Sequence, residues 1–163
     1  MQNKEYVTIM ADSLSKKKEL LETLLQKTKA QAELVTGKEH SDVNWRQFDV
    51  YMEEKDNAIN RIELLDDGFE QVYSRMKEEI DVNKALYVEE IKKMQGLIKE
   101  LTDLGVSISA LEEKNRKEIE RIMTASKLEI KQTKKSLKVS TSYFNSMYGT
   151  HMTPEPSQID ENK

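Results

Sequence analysis

"VTGKEHSDVNWRQF", residues Val35–Phe48, separates two long amphipathic stretches and decides how the chain folds. Gly37 stands where a residue of left-handed conformation closes a helix. The polar "KEHSDV" that follows has no periodicity. Asn44 is a good N-cap, and Gln47 three residues later completes a capping-box pattern. One helix therefore ends at about Thr36 and another begins at Asn44. A short connector between two matched amphipathic helices makes an antiparallel hairpin the simplest arrangement.

Upstream of the turn, Val7, Met10, Leu14, Leu21, Leu24, Thr28 and Val35 fall on alternating three- and four-residue steps, with Lys17 and Gln31 filling the gaps. Leu20, Leu25 and Ala32 widen this stripe beyond a strict seam, as in a bundle helix. The first helix is expected over about 5–36. Downstream, Phe48, Met52, Ile59, Ile62, Leu65, Phe69, Val72, Met76 and Ile80 continue the pattern from Trp45. That predicts a second helix over about 44–80, roughly 54 Å long at 1.5 Å per residue. Gly68 inside it weakens the helix by about 1 kcal/mol relative to Ala and reads as a small residue admitting close helix contact.

The next break is poorly marked; Asp81 or Asn83 can cap a new helix, which places it near 80–83. Leu86, Tyr87, Ile91, Met94, Leu97, Ile98, Leu101, Leu104, Ile108 and Leu111 then form a third stripe. Gly105, in "LGVSIS", is its weak point, where the helix is expected to bend if it bends anywhere. The pattern resumes and predicts a third helix over about 83–148. The fold class is thus all-α: a helical hairpin plus a long third helix, an elongated coiled-coil-like three-helix bundle in one domain, 1–148. Residues 149–163, "GTHMTPEPSQIDENK", read as a disordered tail.

Composition agrees with long helices. Of 163 residues 34% are charged and 37% hydrophobic, with five Gly and two Pro, both Pro near the C-terminus. No apolar run approaches the ~20 residues of a membrane span, and "MQNKEYVTIMADSLSKKK" lacks the layout of a signal peptide, so a cytoplasmic protein is expected. The net charge of −4 and pI near 5.4 argue mildly against a nucleic-acid binder. Charge is uneven: thirteen Asp and Glu against five Lys and Arg between Glu39 and Asp81, but five Lys and one Glu in "KLEIKQTKKSLK", Lys127–Lys138. That lysine run contains no arginine or aromatic residue, so a solvated face explains it more simply than phosphate contacts.

No catalytic constellation emerges. There is no cysteine, and the two histidines, His40 and His151, have no neighbours at ligand spacing. Asp66–Asp67 and Glu53–Glu54 are adjacent carboxylates on different sides of a helix. Phosphate-binding glycine loops and nucleophile elbows are absent. Neither an enzyme nor a metal, cofactor or small-molecule substrate is expected.

What remains is the end of the third helix. In "LEEKNRKEIERIMTASK", Leu111–Lys127, a thin apolar stripe of Leu111, Ile119 and Ile122 runs through dense charge. Further on, Met123, Leu128, Ile130, Leu137, Val139, Tyr143, Phe144 and Met147 extend it, interrupted by Ser126, Thr133 and Ser140. A coiled-coil core fills such slots, whereas a groove for a transient helix tolerates them. Ile119, Ile122, Met123, Leu128, Ile130, Leu137, Val139, Tyr143, Phe144 and Met147 are therefore the candidate partner-binding residues. Packing on the chain's own hairpin, or a homodimer, is the competing use.

In the second helix, Asp49, Lys55, Asp56, Leu65, Asp66, Gly68, Phe69, Val72 and Tyr73 form a pattern, Asp-x5-Lys-Asp then Leu-Asp-x-Gly-Phe-x-x-Val-Tyr, that resembles flagellar export chaperones of the FlgN type, clostridial ones in particular. Asn115 and Tyr148-Gly149 match further features of that family. The resemblance spans most of 5–149 and rests on short helical motifs. It implies a small helical cytoplasmic chaperone that keeps hook–filament junction (hook-associated) subunits unassembled and delivers them to the export apparatus, a type III secretion system. It also implies that the C-terminal helical region carries the cargo. The last helix departs from the family in being lysine-rich rather than leucine-rich, which leaves a FliT-like sister chaperone for the filament cap protein open.

Overall fold

The computed structural model describes residues 2–126. Over these the chain is all-α. Helix α1 spans Gln2–Val35, α2 Trp45–Val82 and α3 Val88–Ser126, with short 3-10 turns at His40–Asp42 and Lys84–Tyr87. The alternating three-and-four spacing explains α1 completely: Val7, Met10, Leu14, Lys17, Leu21, Leu24, Thr28, Gln31 and Val35 are all buried, a seam repeating every seven residues.

The helices contribute to two compact units, whose described parts are residues 2–23 with 57–104 and residues 24–56 with 105–126. In the first, α1 runs antiparallel to α2, as Lys17 Nζ–Asp66 Oδ1 (2.8 Å) and Arg75 Nη1–Tyr6 Oη (3.2 Å) show. It runs parallel to α3, through the ion pairs Lys4–Glu90 and Lys18–Glu100. Val7, Met10, Leu14, Leu21, Ile59, Ile62, Met76, Tyr87, Met94 and Leu101 are among its buried apolar residues. The second unit repeats these directions, with Lys27–Glu54 joining α1 to α2 and the Asn115 amide donating to the Thr28 carbonyl joining α1 to α3. Its apolar cluster is Val35, Val43, Phe48, Met52, Ile119, Ile122 and Met123, with Leu34 and Trp45 packed against it.

The turn between α1 and α2 forms as its residues dictate. Gly37 adopts φ +70°, open to glycine without a Cβ penalty, and the Asn44 side chain accepts the Gln47 backbone N–H at 3.0 Å. Its closure also depends on α3. The Glu118 carboxylate accepts the Gly37 N–H at 3.1 Å, and the Arg121 guanidinium donates to the Lys38 carbonyl at 2.8 Å.

Three expectations change. Ile98, 48% exposed, and Leu86 are not part of the third stripe: Leu86 lies on the 3-10 turn with 62% exposure. That turn has three residues per repeat rather than 3.6, so Tyr87 takes the inward position and its hydroxyl donates to Glu79 at 2.9 Å. Gly68 admits no close contact, because a Cβ built there would meet nothing within 4 Å. Gly105 neither breaks nor ends α3, which passes through it as regular helix with Gly105 buried. The part of the expected third helix after Ser126, and the tail from 149, lie outside the described residues.

Candidate functional site

Polar residues occupying seam slots find one another inside the second unit. Lys55 and Glu112 are both fully buried, with Nζ and Oε2 2.6 Å apart. The same ammonium donates to Gln31 Oε1 at 2.6 Å, and Gln31 Nε2 donates to the Phe48 carbonyl at 3.2 Å. Next to them, the buried Thr28 hydroxyl donates to the Leu24 carbonyl and Asn115 donates to the Thr28 carbonyl. All three helices thus supply one buried polar layer. The layer is incompletely satisfied: neither Glu112 oxygen accepts a hydrogen bond among the described residues, so Lys55 and Glu112 meet as an ion pair without hydrogen-bond alignment. Asp56, beside Lys55, has its carboxyl pushed above the usual range, first by burial and then by the negative charges of Glu112 and Glu53, against the attraction of Lys55.

This layer changes the reading of "LEEKNRKEIERIMTASK". The inward stripe of α3 runs through Ile108, Glu112, Asn115, Ile119 and Ile122, all buried. Leu111 lies off it. Ile119, Ile122 and Met123, expected on a partner-facing surface, are 1%, 1% and 6% exposed and pack on Val35, Val43, Phe48 and Met52 of the same chain. They are core, because the α1–α2 turn ends beside them and covers them. Leu128, Ile130, Leu137, Val139, Tyr143, Phe144 and Met147 lie outside the described residues.

Leu111 instead borders an open groove of about 360 Å³ between α1 and α3, lined by Leu25, Lys29, Ser107, Ala110, Leu111 and Lys114. The groove is not legible in the sequence, where Leu25 only widens the α1 stripe beside the strict seam.

The motif residues serve structural contacts: Lys55 and Asn115 in the buried layer, Asp66 on Lys17, Phe69 stacked on Tyr73 at 6.1 Å between ring centroids. His40 packs against Trp45, 5.4 Å between centroids, and its carbonyl accepts the indole N–H. Among the described residues no three His, Cys, Asp or Glu side chains group as metal ligands, and no helix is long and apolar enough to cross a membrane. Compared with known proteins, the chain matches no family model, no curated protein and no solved structure.

Proposed function

We propose that the chain is an export chaperone of the FlgN type, acting in the cytoplasm by binding a client subunit with an amphipathic surface at the C-terminal end of its helical region. The observation that carries this reading is the position of Arg121. It touches Lys38 in the α1–α2 turn, so α3 has reached the end of the hairpin by this point. Yet the apolar spacing of the sequence continues through Ile130, Leu137, Phe144 and Met147. A client helix would supply an apolar partner for these positions.

The resemblance in α2 names the client class: hook–filament junction subunits, with the filament cap protein as the sister alternative, and the export apparatus as the recipient. Filament subunits assemble through amphipathic helices, and a chaperone blocks this by offering a competing apolar face. The lysines of Lys127–Lys138 favour an acidic client and speed encounter. No catalytic step, cofactor or small molecule is required.

Size-exclusion chromatography with light scattering tests the proposal. The full chain mixed with a purified junction or cap protein should give a one-to-one complex. Phe144→Asp should remove it with helical circular dichroism unchanged. Absence of a complex with every such subunit, together with concentration-dependent self-association of the chain, would instead identify a structural oligomer.

A further inference from the structure

The groove between α1 and α3 has an apolar floor and a basic rim. Leu25 follows the seam residue Leu24, and Leu111 precedes Glu112, so each stands at the edge of its buried stripe, half-covered. Val106, four residues before Ala110 and on the same flank of α3, is 45% exposed. Lys29 and Lys114 are exposed and take part in no ion pair among the described residues, whereas Lys4, Lys17, Lys18, Lys27 and Lys55 all do. On α1, Glu22 and Glu33 bound this basic strip, limiting it to about three helical turns.

We infer that this groove docks an acidic amphipathic helix of another protein, its apolar residues on Leu25, Ala110 and Leu111 and its carboxylates beside Lys29 and Lys114. Charge decides the occupant. The chain's own Lys127–Lys138 carries five Lys and one Glu and would bring like charge to the rim. A second copy related by a two-fold axis would set the same lysines against each other. An acidic helix suffers neither penalty. The inference rests on the chaperone reading and deepens it: the groove is a second point of contact for the client, apart from the residues after Ser126.

Fluorescence anisotropy of the full chain with two labelled peptides tests this. One carries Leu at i, i+3, i+4 and i+7 with Glu on both flanks; the other has Lys in place of each Glu. The acidic peptide should bind on the order of tenfold more tightly at low salt. Lys29→Glu/Lys114→Glu should reverse the preference. Leu111→Asp, at a half-buried position, should abolish binding of both with helical circular dichroism unchanged. No binding of the acidic peptide, or a preference indifferent to the charge reversal, overturns the inference. A junction-subunit complex that survives both groove variants but is lost in Phe144→Asp refutes the groove while sparing the chaperone reading; no complex with the unaltered chain refutes the reading itself.

Discussion

Lys55 and Glu112, one on α2 and one on α3, are 2.6 Å apart with neither side chain exposed to solvent. Desolvating two charges costs about as much as their attraction returns, so such a pair adds little net stability, yet losing one partner strands the other. Lys55→Met should destabilise the chain by about 3–5 kcal/mol, since it leaves Glu112 charged and removes the donor to Gln31. Lys55→Met/Glu112→Leu should recover most of that loss. Urea midpoints of the three proteins check it; a double variant no better than the single one would show that the pair is not the source of the cost.

Ile122→Asp should unfold the second unit rather than expose a binding defect. Ile122 is 1% exposed among Val35, Phe48 and Met52, and an unpaired carboxylate there costs more than the ~1.5–3 kcal/mol of lost apolar burial. Loss of helical circular dichroism at room temperature is the expected result. Retention of full helicity would place Ile122 outside the core.

Gly68→Ala and Gly96→Ala should each stabilise by about 0.5–1 kcal/mol. Both glycines are exposed within helices, and a Cβ meets nothing within 4 Å at either. The sites share no contact, so the gains should add in thermal denaturation.

Asp56→Asn should raise stability at neutral pH. Burial disfavours the ionised Asp56 carboxylate, so its folded-state pKa lies above the unfolded one. The native state then takes up a proton first as pH falls, and stability from this group is gained on acidification and lost as pH rises through the folded pKa. The advantage of Asp56→Asn should accordingly shrink below that titration. Glu118 has the opposite sign. The Arg121 guanidinium and the Gly37 N–H hold its carboxyl below the usual range, so its contribution is present above the unfolded pKa and disappears as pH falls through the folded one. Melting temperatures of Asp56→Asn and Glu118→Gln against pH should therefore move in opposite directions relative to the parent chain.

The seam of α1 was legible in full, including Lys17 and Gln31 as polar occupants, because nine consecutive slots keep one spacing. The turn was equally legible, since Gly37 and Asn44 have local reasons to be where they are. The second half of α3 was not. There the buried slots hold Glu112 and Asn115, and a search for apolar residues slides to Leu111 instead. Counting on by threes and fours from Leu101 through Gly105 and Ile108 lands on Glu112, Asn115, Ile119 and Ile122, but only the presence of Lys55 and Thr28 opposite makes those polar slots tenable. Periodicity reports one helix at a time and cannot see partners across the bundle. For the same reason it gave no warning that Ile119, Ile122 and Met123 were covered by residues of the α1–α2 turn.

The bond from the Gly37 N–H to Glu118 spans 81 positions of the chain. One bond of the turn that follows the first helix is therefore supplied by a residue synthesised long after that helix has left the ribosome. Until then the hairpin must wait with its turn half-made and the Val35–Phe48 side of its core uncovered, and assembly of that end depends on a distant contact whose closure slows folding. A chain cut short before Glu118 would also lack Ile119, Ile122 and Met123, and that end of the core would never close.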